Sequence, residues 1–488
     1  MELKKLTALQ LGAKIKSKEV SVNEALDSVF DSIKSTDNDL NAYITVCEEK
    51  ARAEAPAVQK GIDDGCLTSP LAGVPISVKD NICTSGIKTT CGSKILHNFV
   101  PPYDATAVVN LKKAGMIIPG KLNMDEFAMG STSETSYFGA VKNPRNTDCV
   151  PGGSSGGSAA SVGGFEAFCS LGSDTGGSIR QPAAYCGVTG FKPTYGRVSR
   201  YGLIAYASSL DQIGPICRDA ADCAAIMDVI AGYDSKDSTS LKLPNLNYLA
   251  SLTGDIRGKV IGVPEECFDD AVDEDVRARV SEMTQVLASL GAEIRHISLP
   301  FMKYVVPTYY ILATAEASSN LSRFDGVKYG YRAENCTSVD ELFINSRSEG
   351  FGTEVKSRIM LGTFVLSSGY YDAYYNKALK MKQMIVDEFA KIFASCDAIV
   401  CPTSPDTAPK IGSSLSDNMK MYLSDIFTVS ANLAGLPGLS VPCGFDKKGM
   451  PVGAQIMGAQ NSDTTVLNIG HAYQGVTDFH KQTAGGAQ

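Results

Sequence analysis

The sequence predicts an α/β protein in which a β-sheet is covered by helices. Short apolar runs such as Val74–Val78 and Ala398–Cys401 are typical of buried strands, and they alternate with segments of helical periodicity. The chain has 488 residues, of which 44% are hydrophobic and 20% are charged. These fractions are ordinary for a globular protein and exclude bulk disorder.

The first 65 residues form a predicted N-terminal helical region. Thr7-x-x-Gln10 and Ser21-x-x-Glu24 are capping-box patterns, which mark helix starts. After the second pattern, apolar residues from Val22 to Ile33 recur at helical spacing. We interpret this stripe as a face that packs on the core.

Residues 66–475 are predicted to form one large α/β domain, followed by a tail over 476–488. At its start, Val74–Val78 is expected to be a strand that ends at Lys79. Asp104 is expected to cap a helix that runs through Leu111. Met116–Ile118 is expected to be a second strand.

Further along the chain, the pattern predicts a strand–helix–strand unit over Lys259–Val263, Asp273–Leu290 and Ala292–Ile297. A helical insertion is expected around 301–395. Leu439–Pro442 and Val452–Met457 are expected to be later strands.

Composition excludes several classes of function. With 45 Lys+Arg against 53 Asp+Glu, the net charge is −8, which is unfavourable for a stand-alone nucleic-acid binder. No apolar run is long enough to cross a membrane, and the N-terminus lacks the apolar stretch of a signal peptide, so we expect a cytoplasmic protein. The 14 cysteines show no paired Cys/His spacing, and we interpret most of them as buried free thiols rather than zinc ligands.

A Gly/Ser-rich block, 151–180, carries the main functional signal. Successive glycines let backbone N–H groups converge on an anion or an oxyanion, so phosphate binding and acyl transfer are both open. Phosphate binding has weak support. Gly115–Leu122 resembles a P-loop but lacks the hydroxyl that would hold magnesium, and Gly350-Phe-Gly352 lacks the third glycine of a dinucleotide fingerprint.

Acyl transfer has several candidate nucleophiles. Gly152-x-Ser154-x-Gly156 matches a nucleophile elbow in form, but no apolar strand precedes it. Ser85-x-x-Lys88 and Ser416-Asp417-Asn418 resemble motifs of penicillin-binding enzymes, but no Lys-Thr-Gly follows.

Ser178 is the better candidate nucleophile because it stands at a predicted loop-to-helix start. There the N–H groups of Thr175, Gly176, Gly177 and Ser178 could form an oxyanion hole. The chain has only four His residues. We therefore expect a buried lysine as base, and Lys79, at the end of an apolar strand, fits this role because burial lowers a lysine pKa.

Three blocks in order resemble the amidase signature family: Val78-Lys79-Asp80, Gly152–Ser158 and Asp174–Arg180. The resemblance implies the fold of that family, a central mixed β-sheet covered on both faces by α-helices. It also implies a Ser–cis-Ser–Lys triad. In this triad Ser178 is the nucleophile that forms an acyl-ester, Ser154 is the bridging serine after a cis peptide, and Lys79 is the neutral base.

Within the family, segments such as Asn123–Ser131 and Ala431–Gly438 resemble the amidase subunits of bacterial tRNA-dependent amidotransferases. This likeness implies that glutamine, or asparagine, is the substrate. Arg358 would bind its α-carboxylate and Asp425 its α-ammonium, with Tyr309 beside them. Asp174 and Arg180 are expected to brace the catalytic loop rather than to touch substrate.

The same likeness implies a heterotrimer with the B and C subunits of the amidotransferase, and no cofactor or metal on this chain. The B subunit would bind the mischarged tRNA and use ATP and magnesium to accept the ammonia that is released here. Two other hypotheses stay open: a stand-alone amidase acting on a small amide, and a non-catalytic scaffold for a tRNA-binding partner.

Overall fold

A mixed β-sheet of eleven strands forms the centre of the described structure, a computed structural model that covers residues 2–413 and 424–482. The strands are Tyr43–Val46 (β1), Ser77–Lys79 (β2), Gly120–Leu122 (β3), Ser170–Asp174 (β4), Thr189–Lys192 (β5), Gln212–Cys217 (β6), Val260–Pro264 (β7), Glu293–Ile297 (β8), Ala398–Pro402 (β9), Gly438–Phe445 (β10) and Pro451–Gly458 (β11). Their order in the sheet is β1-β3-β2-β4-β6-β5-β10-β11-β9-β7-β8.

Helices flank this sheet, and the strands at its centre are buried. The helices are Ala8–Lys16 (α1), Val22–Leu40 (α2), Glu48–Asp63 (α3), Thr106–Lys113 (α4), Gly156–Gly163 (α5), Arg180–Cys186 (α6), Ala220–Ile230 (α7), Glu274–Ser289 (α8), Met302–Asn320 (α9), Val339–Gly350 (α10), Thr353–Val365 (α11), Asn376–Phe393 (α12), Val429–Leu433 (α13) and Asp463–Val476 (α14). The expected α/β class and the sheet flanked by helices are confirmed.

Strand pairing explains why the sheet is mixed. β2 pairs in parallel with both β3 and β4, and β7 pairs in parallel with β8 and β9. The β10–β11 hairpin and its neighbours β5 and β9 are antiparallel. The predicted strand–helix–strand unit is β7, α8 and β8, with the two strands side by side as a crossover helix requires.

Both predicted capping boxes are present. Thr7 and Ser21 each accept a backbone N–H three residues on, and Gln10 and Glu24 reach back to the cap. However, the N-terminal region is not entirely helical, since β1 pairs antiparallel with β3 at an edge of the sheet. That strand, Tyr-Ile-Thr-Val, is only four residues long and partly buried, and it lies between two helices, so the sequence pattern did not separate it from them.

Two predicted strands are displaced. The expected strand Met116–Ile118 is wrong: only Ile117 forms an isolated bridge there, with Pro75, and the strand itself begins at Gly120. The expected strand over 74–78 shortens to β2 because Pro75 has no N–H for a ladder.

The predicted cap at Asp104 is also wrong. Ala105 is the N-cap of α4, and Asp104 instead accepts the Ser85 N–H and pairs with Lys112.

The predicted helical insertion corresponds to a region of four helices. Residues 301–395 contain α9–α12, as the helical insertion requires, while the domain limits remain predictions.

Most cysteines are buried. Among the described residues, no helix is both long and apolar enough to cross a membrane. The Ser416-Asp417-Asn418 motif and the end of the tail, 483–488, lie outside the described residues.

Candidate active site

Lys79 is the last residue of β2, a strand that lies between β3 and β4 in the sheet. Its side chain is completely buried. The Nζ atom lies 2.7 Å from Ser154 Oγ, 2.8 Å from Ser155 Oγ and 3.0 Å from Ser173 Oγ. The sheet therefore delivers one amine into a ring of serine hydroxyls.

Burial lowers the pKa of Lys79 to about 7, because the charged ammonium loses its hydration. The carboxylates of Asp125, Asp174 and Asp211 partly oppose this shift. A large fraction of Lys79 is consequently neutral at neutral pH, and its lone pair can accept a proton.

Ser154 follows a cis peptide bond from Gly153 and precedes α5. Its loop is held by close backbone contacts. A Cβ atom added at Gly157 would come within 2.4 Å of the Asn123 carbonyl oxygen, so this first turn of α5 admits only glycine at that point. Ser154 is thereby fixed beside Lys79, as the resemblance implied.

Ser178 lies in the loop between β4 and α6, and Asp174 organises that loop. The Asp174 carboxylate accepts hydrogen bonds from the N–H groups of Gly177 and Ile179, at 2.8 and 3.1 Å. Arg180 donates two more from its guanidinium, both at 3.0 Å. Although burial raises the pKa of Asp174, Arg180 brings it down to about 2, so Asp174 stays ionised.

The expected bracing role of Asp174 and Arg180 agrees with these contacts. Arg180 also donates to the Thr428 carbonyl and to the side chains of Asn432 and Gln455. The catalytic loop is thus tied through one buried guanidinium to α13 and β11.

One of the four N–H groups predicted to form an oxyanion hole already has an acceptor in the protein. The Gly177 N–H is committed to Asp174, so it does not face a substrate. The N–H groups of Thr175, Gly176 and Ser178 have no acceptor among the described residues. Three of the four predicted donors therefore remain available for an oxyanion.

Ser178 is the triad member nearest solvent. It is 8% exposed, whereas Ser154 and Lys79 are fully buried. Within the described residues, no hydrogen bond joins the Ser178 and Ser154 hydroxyls. Ser178 is therefore the one of these three residues that an incoming amide would reach first.

Two glycines in the loop leave space for neighbouring side chains. A Cβ atom at Gly176 would lie 2.6 Å from the Tyr309 hydroxyl oxygen. One at Gly177, whose φ is +134°, would lie 2.2 Å from Thr428 Oγ1. Thr428 in turn donates to the Gly176 carbonyl at 2.6 Å. Tyr309 therefore packs directly over the loop that carries Ser178.

Arg358 lies on α11 and is 4% exposed. Its Nε donates to Glu354 at 2.7 Å, and its Nη1 donates to the Tyr206 hydroxyl at 2.7 Å. The guanidinium also lies over the rings of Tyr206 and Tyr310. This cage keeps a permanent positive charge in a buried position.

Asp425 is a buried carboxylate that accepts a hydrogen bond from the Ser131 hydroxyl at 2.6 Å. Burial raises its pKa to about 7, and Ser131 and Arg358 only partly oppose the shift. The charges of Arg358 and Asp425 both act on Tyr309, so the structure brings the three predicted substrate residues into one region.

Sequence reasoning missed several groups in the site. Ser155, Ser173 and Asn81 surround Lys79, and Asn81 Nδ2 donates to Ser173 Oγ at 2.9 Å. Ser155 adjoins Ser154 within the Gly-rich motif, so its position could have suggested a role. Tyr206 and Ser131 had no local signal, because each is brought to its partner from a distant part of the chain.

The phosphate-binding interpretation fails on geometry. Lys121, the lysine of the P-loop-like segment, is in β3, and its Nζ donates to the Ile82 carbonyl and to Thr89. The described residues contain no group of His, Cys, Asp and Glu that could hold a metal ion.

Comparisons with known proteins agree on one family. The model of the family described as Amidase matches residues 24–467. The A subunit of the glutamyl-tRNA(Gln) amidotransferase of Lachnospira eligens is 57% identical, over 97% of this chain and 98% of that one. The protein of the same name from Agathobacter rectalis is 54% identical, with 99% and 96% covered.

Solved structures extend the likeness to the whole fold. The crystal structure of the A subunit of the glutamyl-tRNA(Gln) amidotransferase of Thermotoga maritima has a TM-score of 0.78 and 42% identity, and the match covers 94% of this chain and 95% of that one. The native peptide amidase of Stenotrophomonas maltophilia has a TM-score of 0.82 and 28% identity, with 96% of both chains covered.

Proposed function

The chain belongs to the amidase family, and we propose that it hydrolyses the side-chain amide of glutamine through an acyl-ester on Ser178. The observation that carries the proposal is the fully buried Lys79 amine, 2.7 Å from Ser154 Oγ, beneath the loop that presents Ser178. A lysine in that position can act as a base at neutral pH.

The proposed first step is attack by Ser178 on the amide carbon. The Ser178 proton passes to Ser154 Oγ while the Ser154 proton passes to neutral Lys79. The carbonyl oxygen gains negative charge and is bound by the N–H groups of Thr175, Gly176 and Ser178. Return of the proton by the same route to the amide nitrogen expels ammonia and leaves the acyl-ester.

Water then completes the cycle. It attacks the ester carbon, gives its proton through Ser154 to Lys79, and the proton returns to Ser178 Oγ as glutamate leaves. The first attack and the hydrolysis thus use the same base, and both steps run through side chains and backbone N–H groups of this chain.

The substrate proposal rests on two buried groups of opposite charge. Free glutamine carries an α-carboxylate and an α-ammonium, and Arg358 and Asp425 offer one partner for each. An apolar amide offers no charged group to either side chain. This pair therefore favours an amino-acid amide, glutamine or asparagine, over the apolar substrate of a stand-alone amidase.

The relatives' printed name supports a role within a larger assembly. We propose that this chain is the amidase subunit of a cytoplasmic tRNA-dependent amidotransferase, in complex with its B and C subunits. The B subunit would hold the mischarged tRNA and use ATP and magnesium to couple the ammonia to a glutamyl, or also an aspartyl, group. A chain with net charge −8 suits this division, since it handles a small zwitterion rather than the tRNA.

Ammonia release from glutamine tests the proposal, with and without the partner subunits and mischarged tRNA. Ser178→Ala is expected to lower the rate by about 10³-fold or more while circular dichroism is unchanged. Ser240→Ala is the matched control, because Ser240 is also 8% exposed and lies outside the site. Near wild-type turnover in Ser178→Ala would exclude Ser178 as the nucleophile, whereas a complete absence of ammonia release by the wild-type complex would support the scaffold hypothesis.

A further inference from the structure

A cavity of ≈ 280 Å³ lies at the far ends of the two helices that begin after Ser154 and Ser178. Its walls include Val162 and Gly163 at the end of α5, and Gly187 and Val188 just after α6. α5 starts two residues after Ser154, and α6 starts two residues after Ser178. The cavity is therefore separate from the candidate active site, at the opposite end of both helices.

Two arginines in the wall of the cavity donate hydrogen bonds to backbone carbonyls. Arg145 donates to the carbonyls of Cys186 and Gln482, at 3.3 and 2.6 Å. Arg218, which is 8% exposed, donates to those of Leu6 and Lys4. A Cβ atom at Gly187 would lie 2.9 Å from Arg145 Nη2, so glycine there makes room for the guanidinium.

Neither guanidinium has a carboxylate within ion-pair distance among the described residues. The two lysines of the wall are already in ion pairs, Lys5 with Glu2 at 3.1 Å and Lys481 with Asp478 at 2.6 Å. Asp219 also lines the cavity and accepts the Asp222 N–H, and its carboxylate acts on Arg218 from beyond ion-pair distance.

Burial lowers the pKa of both arginines, and that of Arg218 falls to about 10. Asp222 and Asp219 only partly oppose this effect at Arg218, and no carboxylate opposes it at Arg145. Burying a cation without a close anion is costly, and proteins usually compensate such a charge. The cavity therefore holds more positive charge than its own wall balances.

We propose that this cavity is an anion-binding site that takes a carboxylate or phosphate group between Arg145 and Arg218. Guanidinium groups suit both anions because their N–H groups form parallel hydrogen bonds to two oxygens. Phe165, Val162 and Val188 supply an apolar wall, which favours a carboxylate attached to a small apolar body. A bound anion would join the N-terminal segment to the C-terminal segment, since Arg218 holds Leu6 and Arg145 holds Gln482.

Calorimetric titration of the full chain at low salt tests the site, with inorganic phosphate and with butyrate as separate probes. We expect saturable binding of one equivalent of at least one probe, weakened tenfold or more in Arg145→Gln. Arg257→Gln is the matched control, because Arg257 is an exposed arginine paired with Asp255. Circular dichroism and amide hydrolysis should be unchanged in Arg145→Gln, since Arg145 is outside the catalytic machinery.

The two probes identify the chemistry of the anion. Tighter binding of butyrate supports a carboxylate on a small apolar body, and tighter binding of phosphate supports a phosphate group. Absence of saturable binding of both probes, or equal binding in wild type and Arg145→Gln, would overturn the site.

Discussion

Burial moves two groups of the active site to the same pKa from opposite directions. It lowers the pKa of Lys79 to about 7 and raises the pKa of Asp425 to about 7. The proposed mechanism needs both groups deprotonated: Lys79 must be neutral to accept a proton, and Asp425 must be ionised to bind the substrate ammonium. Glutamine hydrolysis should therefore rise with pH through both ionisations.

The expected fall in kcat/KM at low pH follows from these two pKa values. One pH unit below its pKa, each group is in its active form in about a tenth of the molecules. At about pH 6, kcat/KM for glutamine should then be about a hundredth of its plateau, and log kcat/KM should fall with a slope that approaches two. An unperturbed lysine, with a pKa near 10.4, would instead give a rate that still climbs above about pH 9.

Glutaramate, which is glutamine without its α-amino group, separates the two ionisations. It has no ammonium for Asp425, so its hydrolysis should depend on Lys79 alone and fall only about tenfold between the plateau and about pH 6. The assay is ammonia release at low substrate concentration between about pH 5.5 and 9. Asp425→Asn serves as the control and should reduce the slope for glutamine from two to one.

Two results would refute the reasoning. Equal slopes for glutamine and glutaramate would show that Asp425 does not bind the ammonium. A rate that is independent of pH between about 6 and 8 for both substrates would show that Lys79 is not the base.

Three substitutions test other parts of the site. Lys79→Ala should lower kcat by about 10³-fold or more at about pH 8, and a loss under about tenfold in the ammonia assay would reject its role. Arg358→Ala should raise the KM for glutamine about 10- to 100-fold, in line with a lost charge-assisted hydrogen bond of about 1.5–3 kcal/mol, and an unchanged KM would contradict carboxylate binding. Gly176→Ala should lower kcat up to about 100-fold because its Cβ would displace Tyr309 or the loop; Gly475→Ala, where nothing lies within 4 Å, should leave kcat unchanged.

Local patterns predicted the elements that depend on local chemistry. The capping boxes at Thr7 and Ser21 are correct because a cap is satisfied within one turn of helix. The unit β7–α8–β8 is correct because strand and helix periods alternate clearly there. The strand expected at Met116–Ile118 failed because apolar burial does not decide which neighbouring residues join the ladder, and Gly120–Leu122 does so instead.

Long-range contacts explain what the sequence did not show in the site. Lys79, Ser154 and Ser178 stand in or beside motifs, so they could be named in advance. Tyr206 meets Arg358 across 152 residues of sequence, and Ser131 meets Asp425 across 294. No local pattern links such pairs, and only the folded chain brings them together.

In the proposed mechanism, the hydrogen bond from Gly177 to Asp174 lets the loop be rigid and still bind an oxyanion. The loop from Thr175 to Ser178 must be fixed by hydrogen bonds, but some of its backbone N–H groups must stay available for the substrate. Asp174 takes the N–H groups of Gly177 and Ile179, on either side of Ser178, and leaves the Ser178 N–H without an acceptor among the described residues. Since Arg180 keeps Asp174 ionised, its charge strengthens those two anchoring hydrogen bonds. The proposed oxyanion donors would thus be oriented before substrate arrives, and little reorganisation would be needed as negative charge develops.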